Sequence, residues 1–253
     1  MGINFAELSP WLLLLAPLAI MAAYVVFGLS GFGSTVVAVP ILAHFLPVSF
    51  LVPLMVLLDM ACAALMGSAG RAHVSKPELK RLIPFMFVGF GVGITVLVGA
   101  PDQYLRAALG VFALVVGIHG ILNPTLERTI SSLWSIPAGI VGGAVATIFG
   151  AGGPIYATYL SGRLRDKSEL RSTISTLISI SAFSRAVVYA VGGLLLHKAI
   201  FIGMVLLAPF VWIGLGIGRR IHVGLTQVQM RRAIGAVLVC TGVSLLARVF
   251  LSA

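Results

Sequence analysis

Long uncharged apolar runs follow one another along most of this chain of 253 residues. Hydrophobic residues make up 59% of the sequence and charged residues only 9%, whereas a soluble domain carries about 25% charged residues. A helix needs about 20 apolar residues to span a bilayer, so the runs leave room for about eight to ten membrane segments and for no water-soluble domain. The sequence therefore predicts an all-α polytopic membrane protein.

The charge and the polar residues exclude several other classes of function. The net charge of +10 comes from 17 Lys and Arg residues against 7 Asp and Glu residues, but the basic residues fall in short loops between apolar runs, where they signal orientation rather than nucleic-acid binding. Cys62 and Cys240 both lie in apolar runs, which supports neither a disulfide framework nor a zinc site. The sequence contains no nucleophile–base constellation, metal-ligand cluster or phosphate-binding loop. We therefore expect no enzyme, no metal, no cofactor and no nucleic-acid partner.

Two of the apolar segments are too short to cross a membrane. The ten segments span residues 10–29, 34–46, 49–67, 82–99, 104–122, 133–149, 153–160, 171–193, 199–218 and 230–251. At 1.5 Å per residue the second reaches about 20 Å and the seventh about 12 Å, against a hydrocarbon core of roughly 30 Å. Each short segment is expected to form, with the segment before it, a broken or re-entrant hairpin that turns at a Gly-rich tip.

The basic residues predict how the segments are oriented. Thirteen of the 17 lie in the loops after the third and seventh segments, between the last two segments, and in a polar linker at 123–132. The positive-inside rule places all of these in the cytoplasm. Both termini are then periplasmic and the two halves have opposite orientation. We expect an N-terminal repeat at 1–122 and an inverted C-terminal repeat at 133–253, each a broken hairpin plus three transmembrane helices.

Three short motifs recur in the same order in both halves. The first pair is offset by 119 residues and the other two by 125; they are 31–35 with 150–154, 88–93 with 213–218, and 105–110 with 230–235. One match is weak, because close helix packing favours small residues in membranes, but three in order favour a duplication. Inverted repeats with interrupted helices are typical of secondary transporters, which bind substrate where the breaks meet.

The two Gly-rich tips are candidates for an anion site. Irregular backbone at membrane depth is tolerated only where it is buried in protein or lines a cavity, and the start of a helix offers N–H groups and a positive dipole end to an anion. The alternative is that the glycines merely let two hairpins cross tightly. We favour the anion site, and its candidate residues are Ser30, Gly31, Gly33, Ser34, Thr35, Gly150, Gly152 and Gly153.

One arginine lies deep within an apolar segment. Arg185 is about 12 Å along the helix from Gly193 and about 21 Å from Arg171, and an arginine at such depth costs at least about 2.5 kcal/mol and needs a partner. Asp59 lies at a comparable depth. Two interpretations stay open: a structural ion bridge between the two, or Arg185 as substrate-binding residue with Asp59 taking up or releasing a coupling proton.

The tip motifs resemble those of the sulfite exporter TauE/SafE family of bacterial membrane permeases. The family pattern, G-x-G-G-G followed by a proline, appears twice in its members. The first copy here has Ser34 and Thr35 in place of the third and fourth glycines and keeps Pro40, whereas the second has Tyr159 where the family often has proline. The resemblance covers nearly the whole chain in length, segment layout and duplicated motif.

The resemblance implies a secondary transporter in the bacterial inner membrane that moves a small sulfur-containing anion, such as sulfite, sulfoacetate or another organosulfonate, with coupling to an ion gradient. Ser34, Thr35 and Tyr159 would enlarge or polarise the site, and the particular anion stays open. The expected partners are the anion and the lipid bilayer, and a homodimer is compatible with the sequence. The alternatives are a passive anion channel with the tips as its filter and a structural or sensory membrane subunit.

Overall fold

A computed structural model describes residues 10–30, 33–66, 73–122, 130–220 and 227–251. Within these ranges the chain forms ten α-helices: α1 (Pro10–Ser30), α2 (Ser34–Leu42), α3 (Val48–Met66), α4 (Lys76–Gly99), α5 (Asp102–Leu122), α6 (Ser135–Phe149), α7 (Gly153–Ser161), α8 (Lys167–Val191), α9 (Lys198–Arg220) and α10 (Gln227–Leu251). Short 3-10 helices at Ser132–Trp134 and Leu194–Leu196 precede α6 and α9. The all-α prediction is confirmed.

Six of the described helices are long and apolar enough to cross a membrane. They are Lys76–Gly99, Asp102–Leu122, Ser132–Phe149, Ser168–Val191, Lys198–Arg220 and Arg232–Leu251, with a mean hydropathy between 1.5 and 2.4. Two shorter apolar stretches, Leu14–Leu29 and Val48–Cys62, lie within α1 and α3. The chain is therefore a polytopic membrane protein, as the composition predicts.

Two short helices, α2 and α7, each follow a break in the chain. Each has nine residues, which is about 14 Å of helix and less than half of the bilayer core. Gly33 immediately before α2 has φ 98°, and Gly150 immediately after α6 has φ 72°. Residues with a Cβ rarely adopt this left-handed backbone conformation. Glycine at these two positions therefore permits the breaks. Pro154 lies in the first turn of α7, where a missing N–H is tolerated.

α3 is buried at the centre of the bundle. Its apolar residues Leu51, Val52, Met55 and Val56 are fully buried, and it packs against helices of both halves, including α2, α8 and α9. This position carries Asp59, the carboxylate of α3, into the interior of the protein.

Helices from opposite halves cross at close range in three pairs: α1 with α9, α4 with α6, and α5 with α10. Glycine allows the approach, because a Cβ on Gly89 of α4 would overlap the carbonyl oxygen of Ile140, and a Cβ on Gly214 of α9 would overlap that of Met21. Backbones in direct contact maximise the van der Waals attraction that holds membrane helices together.

The same backbone approach occurs twice between α5 and α10. A Cβ on Gly235 would lie 2.6 Å from the carbonyl oxygen of Gly117, and a Cβ on Gly242 would lie 2.9 Å from that of Gly110. All three helix pairs therefore depend on glycines that face a partner backbone.

We expect Gly89→Ala and Gly214→Ala each to destabilise the protein by about 1–3 kcal/mol, because the new methyl group meets backbone that cannot turn aside. The matched controls Gly91→Ala and Gly216→Ala add their methyl groups to open space and should change stability by less than about 1 kcal/mol, with a small gain from helix propensity. Thermal unfolding in one detergent compares all four. Equal effects at the contacting and open positions would contradict the packing described here.

Candidate functional site

The two breaks lie against each other inside the protein. Gly150, at the end of α6, faces Thr35 in the first turn of α2, and a Cβ on Gly150 would overlap the Thr35 methyl group. Phe149 beside it stacks on Phe112 of α5, with ring centroids 5.5 Å apart. The tips of the two halves thus form one region at the centre of the bundle.

At the first break, Asp59 accepts three hydrogen bonds from hydroxyl groups. The Tyr24 hydroxyl donates to Oδ1 at 2.7 Å and the Ser34 hydroxyl donates to the same oxygen at 2.8 Å. The Thr35 hydroxyl donates to Oδ2 at 2.8 Å. All three donors are buried. Ser34 and Thr35, which the sequence places at the anion site, therefore direct their hydroxyls at the carboxylate of α3.

This arrangement makes the hydrogen bonds depend on whether Asp59 carries a proton. An ionised carboxylate only accepts hydrogen bonds, so three O–H donors suit it well, whereas a protonated carboxyl must donate one itself. A protonated carboxyl can keep all three hydroxyls as donors only if its own O–H finds a further acceptor. Because these hydroxyls belong to α1 and α2, the Asp59 carboxylate joins three helices, α1, α2 and α3.

At the second break, Arg185 of α8 binds the end of α6. Its side chain is buried, with 3% of the residue exposed, and Nη1 donates to the carbonyl of Ala146 at 2.6 Å while Nε donates to that of Ser181 at 3.3 Å. The hydroxyl of Tyr189 donates to the carbonyl of Thr147 at 2.6 Å. Cations and donors at the last carbonyls of a helix satisfy free acceptors and the negative end of the dipole. The two carbonyl bonds use two of the five N–H donors of the Arg185 guanidinium, which also lies against the Tyr189 hydroxyl.

Arg185 and Asp59 form no ion pair in the described ranges. Asp59 is held by hydroxyls at the first break and Arg185 by carbonyls at the second. The structural ion bridge, which was one of the two interpretations of these residues, is therefore absent from this structure.

The tip glycines differ in what surrounds them. Around Gly33 a Cβ would meet nothing within 4 Å, and at Gly153 it would meet only Ile178, at 3.5 Å. A Cβ on Gly152, in contrast, would lie 2.6 Å from the carbonyl oxygen of Gly142, so Gly152 serves the close crossing of the second hairpin. Gly31 lies outside the described residues, and of Ser30 only the backbone is described.

Tyr159 lies away from the tips, and the prediction that it polarises the site is wrong. Its hydroxyl donates to Oε2 of Glu78 at 2.7 Å, at the opposite end of α7 from the break. Arg163 donates to Oε1 of Glu78 through both Nε and Nη2. Arg81 donates to the same oxygen through its Nη1. Nη1 of Arg163 donates to the carbonyl of Ile130. The bond with Glu78 raises the pKa of Arg163. We call these five residues the Glu78 cluster.

Two tyrosines of this region, Tyr24 and Tyr156, were not among the candidate site residues predicted from the sequence. Tyr24 lies in the middle of α1, and a polar group at that depth needs a buried partner, which was the available signal. Tyr156 lies in the first turn of α7 with its ring between α6 and Gly152. Only its closeness to the Gly-rich tip could have pointed to it.

The chain matches known proteins over most of its length. The family model described as "Sulfite exporter TauE/SafE" matches residues 15–245. Among curated proteins, the "Probable inner membrane transporter protein TsaS" of Comamonas testosteroni is 24% identical over 193 residues, which cover 76% of this chain and 81% of that protein. No solved structure matches the chain. Because the family match extends from α1 into α10 and includes both breaks, the chain belongs to the sulfite exporter TauE/SafE family of membrane transporters.

Proposed function

We propose that this chain is a secondary transporter that moves a small sulfur-containing anion across the bacterial inner membrane and is coupled to protons. Sulfite, sulfoacetate and other organosulfonates are the candidate substrates. The observation that carries the proposal is that the two helical breaks touch while each holds an ionisable group of opposite sign, Asp59 at the first and Arg185 at the second. Family membership supports the substrate class, and the relative named as an inner membrane transporter supports the location.

The helix contacts support the proposal that 1–122 and 133–253 are inverted repeats. The proposal that the linker between them is cytoplasmic and both termini are periplasmic rests on the basic loops alone. Gly214 lies 125 residues after Gly89, and Ile140 lies 119 residues after Met21. These are the offsets of the repeated motifs, and the contacts Gly89 with Ile140 and Gly214 with Met21 correspond under them. In transporters of this organisation the repeats move relative to each other around a site at the breaks.

The second break offers the better binding place for the anion. It combines the guanidinium of Arg185 with the amide of Gly153, the first residue of α7. The next positions offer no free donor, because Pro154 has no N–H and the amides of Ile155 and Tyr156 donate to the carbonyl of Gly152. A guanidinium binds planar or branched oxyanions with charge-assisted hydrogen bonds. At Gly153, at the start of α7, a Cβ would fit without overlap, 3.5 Å from Ile178. The first break supplies a second helix start at Gly33 and Ser34.

In this proposal the charge of Asp59 couples binding of the anion to binding of a proton. The groups of the described helices that face its carboxylate are the hydroxyls of Tyr24, Ser34 and Thr35 and, on its own helix, the thiol of Cys62; no cation forms an ion pair with it. At a separation of about 5 Å, two negative charges repel by about 3 kcal/mol at an effective dielectric constant of about 20. An anion bound at that distance would bind about a hundredfold more tightly beside a protonated Asp59 than beside an ionised one, so proton and anion would bind together.

A flux measurement tests this function. Purified protein in proteoliposomes should accumulate sulfoacetate above the external concentration when a pH gradient is imposed, and an uncoupler should abolish the accumulation. A passive channel would only equilibrate the anion, and a structural subunit would give the flux of protein-free vesicles. Accumulation driven by a sodium gradient but not by a pH gradient would contradict the proton coupling.

A further inference from the structure

The hydroxyl of Tyr156 is buried without a hydrogen-bond partner among the described residues. Only 1% of the residue is exposed. A buried hydroxyl that gives up water and gains no protein partner loses free energy, so such groups are rare and call for an explanation.

The other buried tyrosines of the described chain all have partners. The hydroxyl of Tyr24 donates to Asp59, that of Tyr159 to Glu78 and that of Tyr189 to the carbonyl of Thr147. Tyr159 lies on the same short helix as Tyr156, so the environment of α7 does not prevent a tyrosine from finding a partner. Tyr156 is the exception at the end of α7 next to the break.

The ring of Tyr156 is fixed in place by glycines. A Cβ on Gly142 of α6 would overlap the ring, and a Cβ on Gly152 would come to 3.0 Å from Cε2. A ring held on both sides cannot swing its hydroxyl towards a distant partner. The hydroxyl thus has a set position at the tip of the second hairpin.

Arg185 lies over the same turn of α6. Its Nη1 donates to the carbonyl of Ala146, one helical turn after Gly142, and its charge acts on the Tyr156 hydroxyl. A phenol O–H, a guanidinium and the amide of Gly153 at the start of α7 therefore lie at the second break. All three are hydrogen-bond donors.

We propose that the Tyr156 hydroxyl is a substrate-binding group, which donates a hydrogen bond to one oxygen of the anion whose charge Arg185 neutralises. This inference rests on the proposed function, and it names the chemistry of the same site. Donors from three directions suit an anion with several acceptor oxygens, such as sulfite or a sulfonate, better than a monatomic anion such as chloride.

Tyr156→Phe tests the proposal, because it removes one oxygen atom and keeps the packed ring. Purified variants are titrated with sulfite, sulfoacetate and chloride, and unfolding temperature is followed. Without an anion, Tyr156→Phe should be as stable as the wild type or more so, since an unpaired buried hydroxyl is lost. Its dissociation constant for sulfite and sulfoacetate should rise about tenfold or more, as loss of a hydrogen bond to a charged group predicts.

Tyr159→Phe is the matched control on the same helix. It loses the bond to Glu78 and should lower the unfolding temperature while leaving the dissociation constants unchanged. If wild type binds sulfite or sulfoacetate and Tyr156→Phe binds it equally well, the role of Tyr156 is refuted and the proposed function stands. If the wild type responds to no sulfur oxyanion, the proposed function itself fails and the inference fails with it.

Discussion

Arg185→Gln should abolish the stabilisation of the protein by sulfite or sulfoacetate and lower transport at least about a hundredfold. Removing one partner of a buried charged pair costs about 3–5 kcal/mol, which corresponds to a factor of a few hundred or more. Glutamine keeps an N–H donor for the carbonyl of Ala146, which the arginine binds in the free protein. The measurements are unfolding temperature against anion concentration and initial flux into proteoliposomes.

Tyr189→Phe is the control for the structural part of that effect. Its hydroxyl binds the carbonyl of Thr147 at the same end of α6 and lies against the Arg185 side chain, so its loss loosens this helix end and removes a neighbour of Arg185 while the charge of the site is kept. We expect lower stability with the anion response intact. If Arg185→Gln instead kept the full anion response and only lost stability, Arg185 would serve α6 alone and would not bind substrate.

Asp59→Asn should uncouple transport. An amide keeps the size of the carboxyl and can exchange hydrogen bonds with Tyr24, Ser34 and Thr35, but it takes up no proton at physiological pH. Accumulation of sulfoacetate driven by a pH gradient should fall to the equilibrium level, whereas exchange of labelled for unlabelled anion should continue. The affinity for the anion should also lose its dependence on pH, because the charge that repels the anion is gone.

Asp102→Asn gives the comparison. Asp102 begins α5, where it accepts from the amide of Val48 and pairs with Arg106. Neither of these partners belongs to the two breaks. This variant should keep accumulation driven by the pH gradient. Retention of the same accumulation by Asp59→Asn would exclude Asp59 as the proton-carrying group.

The membrane-spanning helices were largely predictable from the sequence, because the lipid bilayer restricts which structures can cross it. A bilayer requires apolar runs with internal hydrogen bonds, and Gly33 and Gly150 interrupt these runs visibly. The helix ends were less predictable. α4 begins at Lys76 and not at residue 82, because hydropathy detects contact with lipid and not helix formation, and the first turns of this helix are polar. α2 ends at Leu42, whereas the apolar segment in the sequence runs to residue 46. The residues after Leu42 are apolar but form a turn.

The site was predictable as a set of residues and not as a set of contacts. Depth along the helices singled out Asp59 and Arg185, and motif repetition singled out the tips. Sequence could not show that Ser34 and Thr35 turn to Asp59, since 25 and 24 residues separate them from it. Nor could it show that Tyr156 lacks a partner, since that depends on every atom around its hydroxyl.

The Glu78 cluster fastens the far end of α7 to α4 through charged groups instead of apolar packing. The Glu78 side chain is 5% exposed, whereas those of Arg163 and Arg81 are 26% and 45% exposed, so solvent weakens the attraction within these ion pairs. When water enters, the carboxylate of Glu78 and the guanidinium of Arg163 recover their hydration, which offsets most of the attraction given up. Separating this end of α7 from α4 therefore costs less free energy than separating an apolar contact of equal area.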